Sequence, residues 1–83
     1  MLYMVELHYR ADQKAEALRY FDEHGVTHYE QDIVVQGAWV ATEDCIAYLL
    51  VESEDDAGVA SATAPLAQFG QTMFRTVVKA EQL

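Results

Sequence analysis

The chain of 83 residues has few of the groups from which disulfides, zinc centres and phosphate-binding loops are built. Its single cysteine, Cys45, excludes a disulfide within the chain and a zinc site made of several thiolates, and we expect it to pack as a small hydrophobic side chain. The four glycines are scattered, so there is no glycine-rich loop for a phosphate. No serine has a histidine at a spacing typical of a nucleophilic triad. The sequence therefore contains no motif that identifies an activity.

Positive charge and long apolar runs are also scarce. The chain has 5 Lys and Arg residues against 14 Asp and Glu, a net charge of −9, and its cations do not cluster. Nucleic acids and anionic membrane surfaces are therefore not expected partners. No apolar run approaches the roughly 18 residues of a membrane-spanning helix, and the first residues do not resemble a signal peptide. A cytoplasmic location is the simplest expectation.

The most informative stretch runs from Asp32 to Glu52 and reads DIVVQGAWVATEDCIAYLLVE. Residues that favour strands fill Ile33–Ala41 and Ile46–Glu52, and a short polar break separates them. A turn centred on Glu43 and Asp44 fixes the register of this hairpin. It pairs Trp39 with Tyr48, Gly37 with Leu50, and Val35 with Glu52.

The two faces of the predicted hairpin differ in chemistry. Alternation places small aliphatic side chains on one face, namely Ala38, Val40, Ala47, Leu49 and Val51. That face is expected to lie under helices. The other face carries aromatic and ionisable residues, and we expect it to form part of an interface, a pocket, or both.

The remaining segments complete an order of β-α-β-β-α-β. They are a strand at Leu2–Arg10, a helix at Gln13–His24 capped by Asp12 and ended by Gly25, a helix at Ala57–Thr63 that ends before Pro65, and a strand at Thr72–Lys79. This order predicts an α+β, ferredoxin-like domain over residues 1–83, with a four-stranded antiparallel sheet and both helices on one face. Its other sheet face is left open, and a partner that covers it would prevent aggregation.

Several segments carry a resemblance to a known superfamily: LYMVELHYR, EALRYFDEHG, GAWVA, AYLLVESEDD, APLAQFG and MFRTVVK. The chain resembles the dimeric α+β barrel proteins, and among them a group of short uncharacterised bacterial members. The resemblance implies a homodimer in which two sheets face one another around a cavity. The superfamily includes cofactor-independent monooxygenases, muconolactone-type isomerases, haem-degrading enzymes and ligand-sensing domains, and fold alone does not choose among them. The chain lacks the paired His and Asp of related isomerase-like members.

The candidate site lies on the open face. There His8 beside Glu6 or Glu52 is a candidate general base, and Arg75 could hold an anionic group. Trp39 would supply a flat apolar wall for a planar ligand. The other candidate ligand-binding residues are Met4, Tyr48 and Glu52. As an alternative, the same residues satisfy one another across a dimer interface.

Two functions remain open at the level of sequence. The first is a small dimeric domain that binds a small molecule in or near the cavity between paired sheets. The alternative is a cofactor-independent, monooxygenase- or isomerase-like enzyme acting on a small planar or anionic metabolite. No cofactor is expected. His8, His24 and His28 are expected to be solvated and not to form a metal site.

Overall fold

The computed structural model describes residues 1–24, 29–30 and 33–83. The elements are β1 (Leu2–Tyr9), α1 (Lys14–His24), β2 (Tyr29–Glu30), β3 (Ile33–Ala41), β4 (Ile46–Ser53), α2 (Asp56–Thr63) and β5 (Gly70–Val77), with short 3₁₀ turns at Ala11–Gln13, Ala64–Gln68 and Ala80–Gln82. The sheet order is β2-β3-β4-β1-β5, and every neighbouring pair is antiparallel. The four long strands and two helices confirm the predicted α+β, ferredoxin-like arrangement.

Strand β1 lies inside the sheet and separates the two faces clearly. Its odd-numbered residues, from Tyr3 to Tyr9, are at most 4% exposed, whereas its even-numbered residues are half-buried. Side chains of a strand alternate between faces, so the buried set lies under the helices. Ala17 of α1 and Val59 of α2 belong to the same hydrophobic core. The predicted burial of this face is confirmed for β1, whereas Val40, which was expected on the same buried face, is 36% exposed near the end of β3.

A β-bulge corrects one part of the predicted hairpin. Trp39 pairs with Tyr48, and Gly37 with Leu50, as expected, but Val35 pairs with Val51 and not with Glu52. The register shifts between Val35 and Gly37, where Gln36 is the extra residue. A bulge of one residue exchanges the faces beyond it. Val35 therefore packs against the core instead of lying on the open face.

Helix α2 ends at Thr63 as predicted and begins at Asp56, one residue before the predicted start. The Asp55 side chain caps it by accepting a hydrogen bond from the Gly58 amide at 2.9 Å. Pro65 cannot continue the helical hydrogen bonds, and the chain passes into a 3₁₀ turn at Ala64–Gln68. Leu66 and Phe69 then anchor this segment in the core.

The start of α1 differs from expectation. A 3₁₀ turn at Ala11–Gln13 precedes the helix, which begins at Lys14. Asp12 lies within that turn and does not cap α1. The predicted end at Gly25 lies outside the described residues. The described part contains no helix long and apolar enough to cross a membrane.

Candidate functional site

The face of the sheet opposite the helices is called the open face below. Two cross-strand rows run across its middle, from β3 through β4 and β1 to β5. The first row holds Trp39, Tyr48, Glu6 and Met73, and the second holds Gly37, Leu50, Met4 and Arg75. All seven residues of the candidate site lie on this face, because Glu52 pairs with Leu2 and His8 with Ile46 in the flanking rows.

Glu6 is the centre of a small ionic cluster. Its Oε1 lies 3.0 Å from Nε2 of His8, and its Oε2 lies 3.7 Å from Nη2 of Arg75. Residues two apart on a strand share a face, which brings His8 to Glu6, and the β1–β5 register brings Arg75 close. The Glu6 side chain is only 21% exposed, whereas that of Arg75 is 65% exposed. Arg75 therefore keeps donors free for a further anionic or aromatic partner.

Trp39 lies at the side of this cluster and covers Gly37. A Cβ built on Gly37 would be 2.7 Å from Cη2 of the indole, so the ring rests against the glycine backbone. Trp39 is nevertheless 57% exposed. Between Trp39 and the ionic cluster, Met4 and Tyr48 are half-buried. The expected aromatic wall is thus present as an exposed, flat surface.

Glu52 is separated from His8. Its position on β4 is six residues from the partner of His8, which is about 20 Å along a strand. Its carboxylate lies 3.3 Å from the Gln36 amide nitrogen and 3.8 Å from the Met1 amino group. Of the two carboxylates considered for His8, the structure brings only Glu6 to it.

Two contacts of the site were not predicted. The Gln36 side chain reaches Glu52 because of the bulge, which a single sequence does not reveal. Nη2 of Arg75 lies 4.0 Å from Sδ of Met73, a neighbour two residues along the same strand. That pair could have been found by alternation alone.

The described residues contain no group of three or more His, Cys, Asp or Glu side chains that could hold a metal ion. The His24 side chain and His28 lie outside the described part of the chain. A separate cleft of about 90 Å³ borders β3 and α1. It is lined by Phe21, Ala38, Trp39, Val40, Ala47 and Leu49. None of these described lining residues is ionisable, so the chemistry of the site remains with the Glu6 cluster.

Comparison with known proteins agrees with this architecture. The model of a domain of unknown function, DUF3303, matches residues 1–83. The chain belongs to this family. A crystal structure of an uncharacterised NIPSNAP domain protein from Burkholderia xenovorans is similar to this DUF3303 member, with a TM-score of 0.55, 14% identity and 95% of each chain covered. That likeness concerns the fold alone. No curated protein matches the sequence.

The resemblance noted in the sequence is therefore confirmed for family and fold. Neither the DUF3303 match nor the structural neighbour assigns a ligand or an activity.

Proposed function

We propose that the chain forms a homodimer through its open face and that the space between the two sheets binds a small organic molecule beside Glu6, His8 and Tyr48. The observation that carries the proposal is that both carboxylate oxygens of Glu6 lie beside donors of the same protomer. A carboxylate can be covered at acceptable cost only when it is paired or hydrogen-bonded. Both Glu6 oxygens already have a neighbouring donor, from His8 and Arg75, within a single protomer.

A second copy is the occupant whose chemistry fits the face best. A two-fold axis parallel to the strands and midway between β4 and β1 would cover all four long strands of both protomers. It would lay β5 of one protomer over β3 of the other. Each cross-strand row of one protomer would face the same row of the other. Arg75 would then lie opposite Gly37 of the second copy. Because the Trp39 indole covers that glycine, Arg75 would lie over the indole. These are the two most exposed side chains of the middle rows, at 65% and 57%.

Such a contact favours this arrangement on energetic grounds. An arginine over the face of a tryptophan contributes about 0.5–1 kcal/mol when exposed and about 2 kcal/mol when desolvated. Each protomer supplies both partners, so the interface is self-complementary and contains the pair twice.

The same axis places β1 of one protomer over β4 of the other. Tyr48 would then face the Glu6–His8 pair of the second copy. A ligand between them would meet a phenol on one side and an imidazole–carboxylate pair on the other. Met4 and Leu50 would provide its apolar floor. A small planar molecule with one polar group suits this combination.

Sedimentation analysis of four proteins tests the dimer: the natural chain, Trp39→Ala, Arg75→Ala and the double variant. Each single substitution should weaken dimerisation about tenfold or more, since two desolvated pairs are lost. The double variant should be little worse than either single one. Arg19→Ala, which removes an exposed cation on α1, is the matched control. A stable monomer at about 100 μM, where a dimer of ordinary affinity would be populated, contradicts the proposal.

Trp39 also allows a direct test of ligand binding, because it is the only tryptophan in the chain. We would titrate the dimer with a matched set of 3-phenylpropionate, 3-phenylpropanol and 3-phenylpropylamine and follow the indole emission. Saturable change that His8→Ala or Tyr48→Ala abolishes without loss of the dimer supports the site. A dimer that responds to none of these and to no wider panel of planar metabolites would be a structural pairing only.

The 3.0 Å contact between His8 and Glu6 favours an enzyme as the second candidate. When Nε2 of a neutral imidazole donates to a carboxylate, Nδ1 keeps a lone pair that can take a proton from a substrate. Proton exchange in D₂O, followed by NMR on a panel of planar carbonyl acids, tests this activity. Exchange should stop in His8→Ala and in Glu6→Gln while the dimer persists. Without exchange by the natural chain, ligand binding alone stands.

A single domain over residues 1–83 and a cytoplasmic location stay predictions.

A further inference from the structure

Tyr9 has a buried hydroxyl group that makes no hydrogen bond to an oxygen or nitrogen of the described residues. The residue is 4% exposed, and its hydroxyl has no partner of conventional geometry there. The contrast with Tyr3 is direct, since the equally buried Tyr3 hydroxyl donates to Oδ1 of Asp56 at 2.8 Å. Buried hydroxyls are almost always paired, so an exception calls for an explanation.

The neighbour of this hydroxyl is the free cysteine. The Tyr9 amide donates to the Cys45 carbonyl at 3.1 Å, one step beyond the His8–Ile46 pair. Cys45 is the last residue of the turn before β4, and it is half-buried against the same core as Tyr9. Burial raises the pKa of Tyr9, and the Cys45 side chain raises it further. The hydroxyl therefore stays protonated at neutral pH and can donate.

We propose that Cys45 is a site of oxidation by hydroperoxides, and that the oxygen of the resulting sulfenic acid accepts a hydrogen bond from the Tyr9 hydroxyl. In this step the Cys45 thiolate attacks one oxygen of the peroxide. The S–O bond forms as the O–O bond breaks, and the hydroxide or alkoxide that leaves takes up a proton. Sulfur is oxidised, and the hydroperoxide is reduced to water or an alcohol.

The hydrogen bond from Tyr9 stabilises the sulfenic acid product. It does not accelerate the attack of the thiolate on the peroxide. Sulfur is a weak acceptor, so the reduced thiol leaves the Tyr9 hydroxyl poorly satisfied. An S–O oxygen is a good acceptor at nearly the same place. The hydrogen bond from Tyr9 does not make the thiolate a stronger nucleophile, and we therefore expect Cys45 to react at an ordinary rate. The oxidised form should instead last unusually long.

The lone cysteine makes this lifetime consequential. Many sulfenic acids end within seconds as a disulfide with a second thiol of the same chain. These 83 residues contain no second cysteine. The sulfenic acid of Cys45 must therefore persist until an external thiol reduces or caps it, or until further peroxide oxidises it. Cys45 also lies on the helix side of the sheet, so this inference does not depend on the proposed dimer.

The test compares the natural chain with Tyr9→Phe, which keeps the ring and removes the oxygen. Both are treated with hydrogen peroxide, which is then removed by catalase, and dimedone is added after increasing delays. Intact-mass spectrometry gives the fraction trapped. We expect similar rates of formation, but a sulfenic acid that disappears about five- to tenfold faster in Tyr9→Phe, the worth of one such hydrogen bond. Cys45→Ser should form no adduct.

Two further measurements keep the outcome unambiguous. Tyr48→Phe removes a phenolic oxygen from the opposite face and should leave the lifetime unchanged. Thermal unfolding should show that reduced Tyr9→Phe is at least as stable as the natural chain, because it loses only an unpaired hydroxyl. Absence of a dimedone adduct in the natural chain, or equal lifetimes in the natural chain and Tyr9→Phe, overturns the inference.

Discussion

At the scale of single residues, two glycines of the sheet face different constraints. Gly70 opens β5 against β1, and a Cβ there would overlap the His8 carbonyl oxygen and lie 2.7 Å from Cα of Tyr9. Those atoms belong to the backbone of an interior strand and cannot move without breaking the sheet. At Gly37 the atoms nearest to an added Cβ belong to the Trp39 indole, the first of them at 2.7 Å. A side chain can rotate away, so the two sites should respond differently to the same added methyl group.

We predict that Gly70→Ala lowers the free energy of unfolding by about 3 kcal/mol or more, as expected for overpacking against fixed atoms. Gly37→Ala should change it by less than about 1 kcal/mol, because alanine suits a strand better than glycine and only the indole must shift. Urea unfolding measures both changes. In the folded state, the emission of Trp39 should differ from that of the natural chain in Gly37→Ala but not in Gly70→Ala. Equal losses at the two positions would show that the indole is as fixed as the backbone.

At the scale of elements, the contact of Tyr3 with Asp56 joins β1 to the first turn of α2. Burial, followed by the hydrogen bond to Asp56, raises the pKa of Tyr3 from 10.0 to about 12. The folded chain therefore holds this proton more tightly than the unfolded chain. The stability that results is complete below pH 10, the unfolded value, and is lost as the pH rises from there through 12.

The difference in stability between the natural chain and Tyr3→Phe isolates this effect. The natural chain should be the more stable at pH 8, since the variant leaves Asp56 without its donor, and the advantage should shrink steadily above pH 10, the unfolded pKa of tyrosine. Urea midpoints at a series of pH values measure it. The variant will still lose some stability at high pH, because the pKa of Tyr9 is raised as well. An advantage that is constant across this range would contradict the linkage.

Elements were predictable from the sequence wherever local chemistry decides them. Alternation in β1 assigned its two faces, and Pro65 marked the end of α2. The bulge at Gln36 depends on how two distant strands align, and nothing in the local pattern of β3 announces it. Val35 was consequently placed on the wrong face, although the pairs nearer the turn were right.

The candidate site divides in the same way. His8 and Glu6 are two residues apart on one strand, so their pairing follows from alternation. Arg75 reaches Glu6 only because β1 and β5 are adjacent and in a particular register. Their shared face was predicted, whereas the choice of Glu6 over Glu52 needed coordinates. What covers the open face depends on contacts beyond one chain, which no property of a single strand encodes.

At the scale of the whole molecule, charge opposes the proposed dimer while the open face favours it. Each chain carries a net charge of −9, so two copies repel each other over distances comparable with their size. In the proposed dimer, by contrast, Arg75 and the half-buried apolar residues of one open face would attract the open face of the second copy. The apolar term is insensitive to moderate salt, whereas the long-range repulsion is screened.

We therefore predict that salt strengthens dimerisation. Raising NaCl from about 20 mM to about 200 mM shortens the screening length from roughly 20 Å to below 10 Å, which removes most of the repulsion between the outer surfaces. The dissociation constant measured by sedimentation should fall severalfold. Arg75→Ala should start from a weaker dimer and show the same direction of change, because its net charge is more negative still. A dimer that weakens as salt rises would instead be held mainly by ion pairs at its seam, and the contact of Arg75 with Trp39 would have to give way to pairing with Glu52.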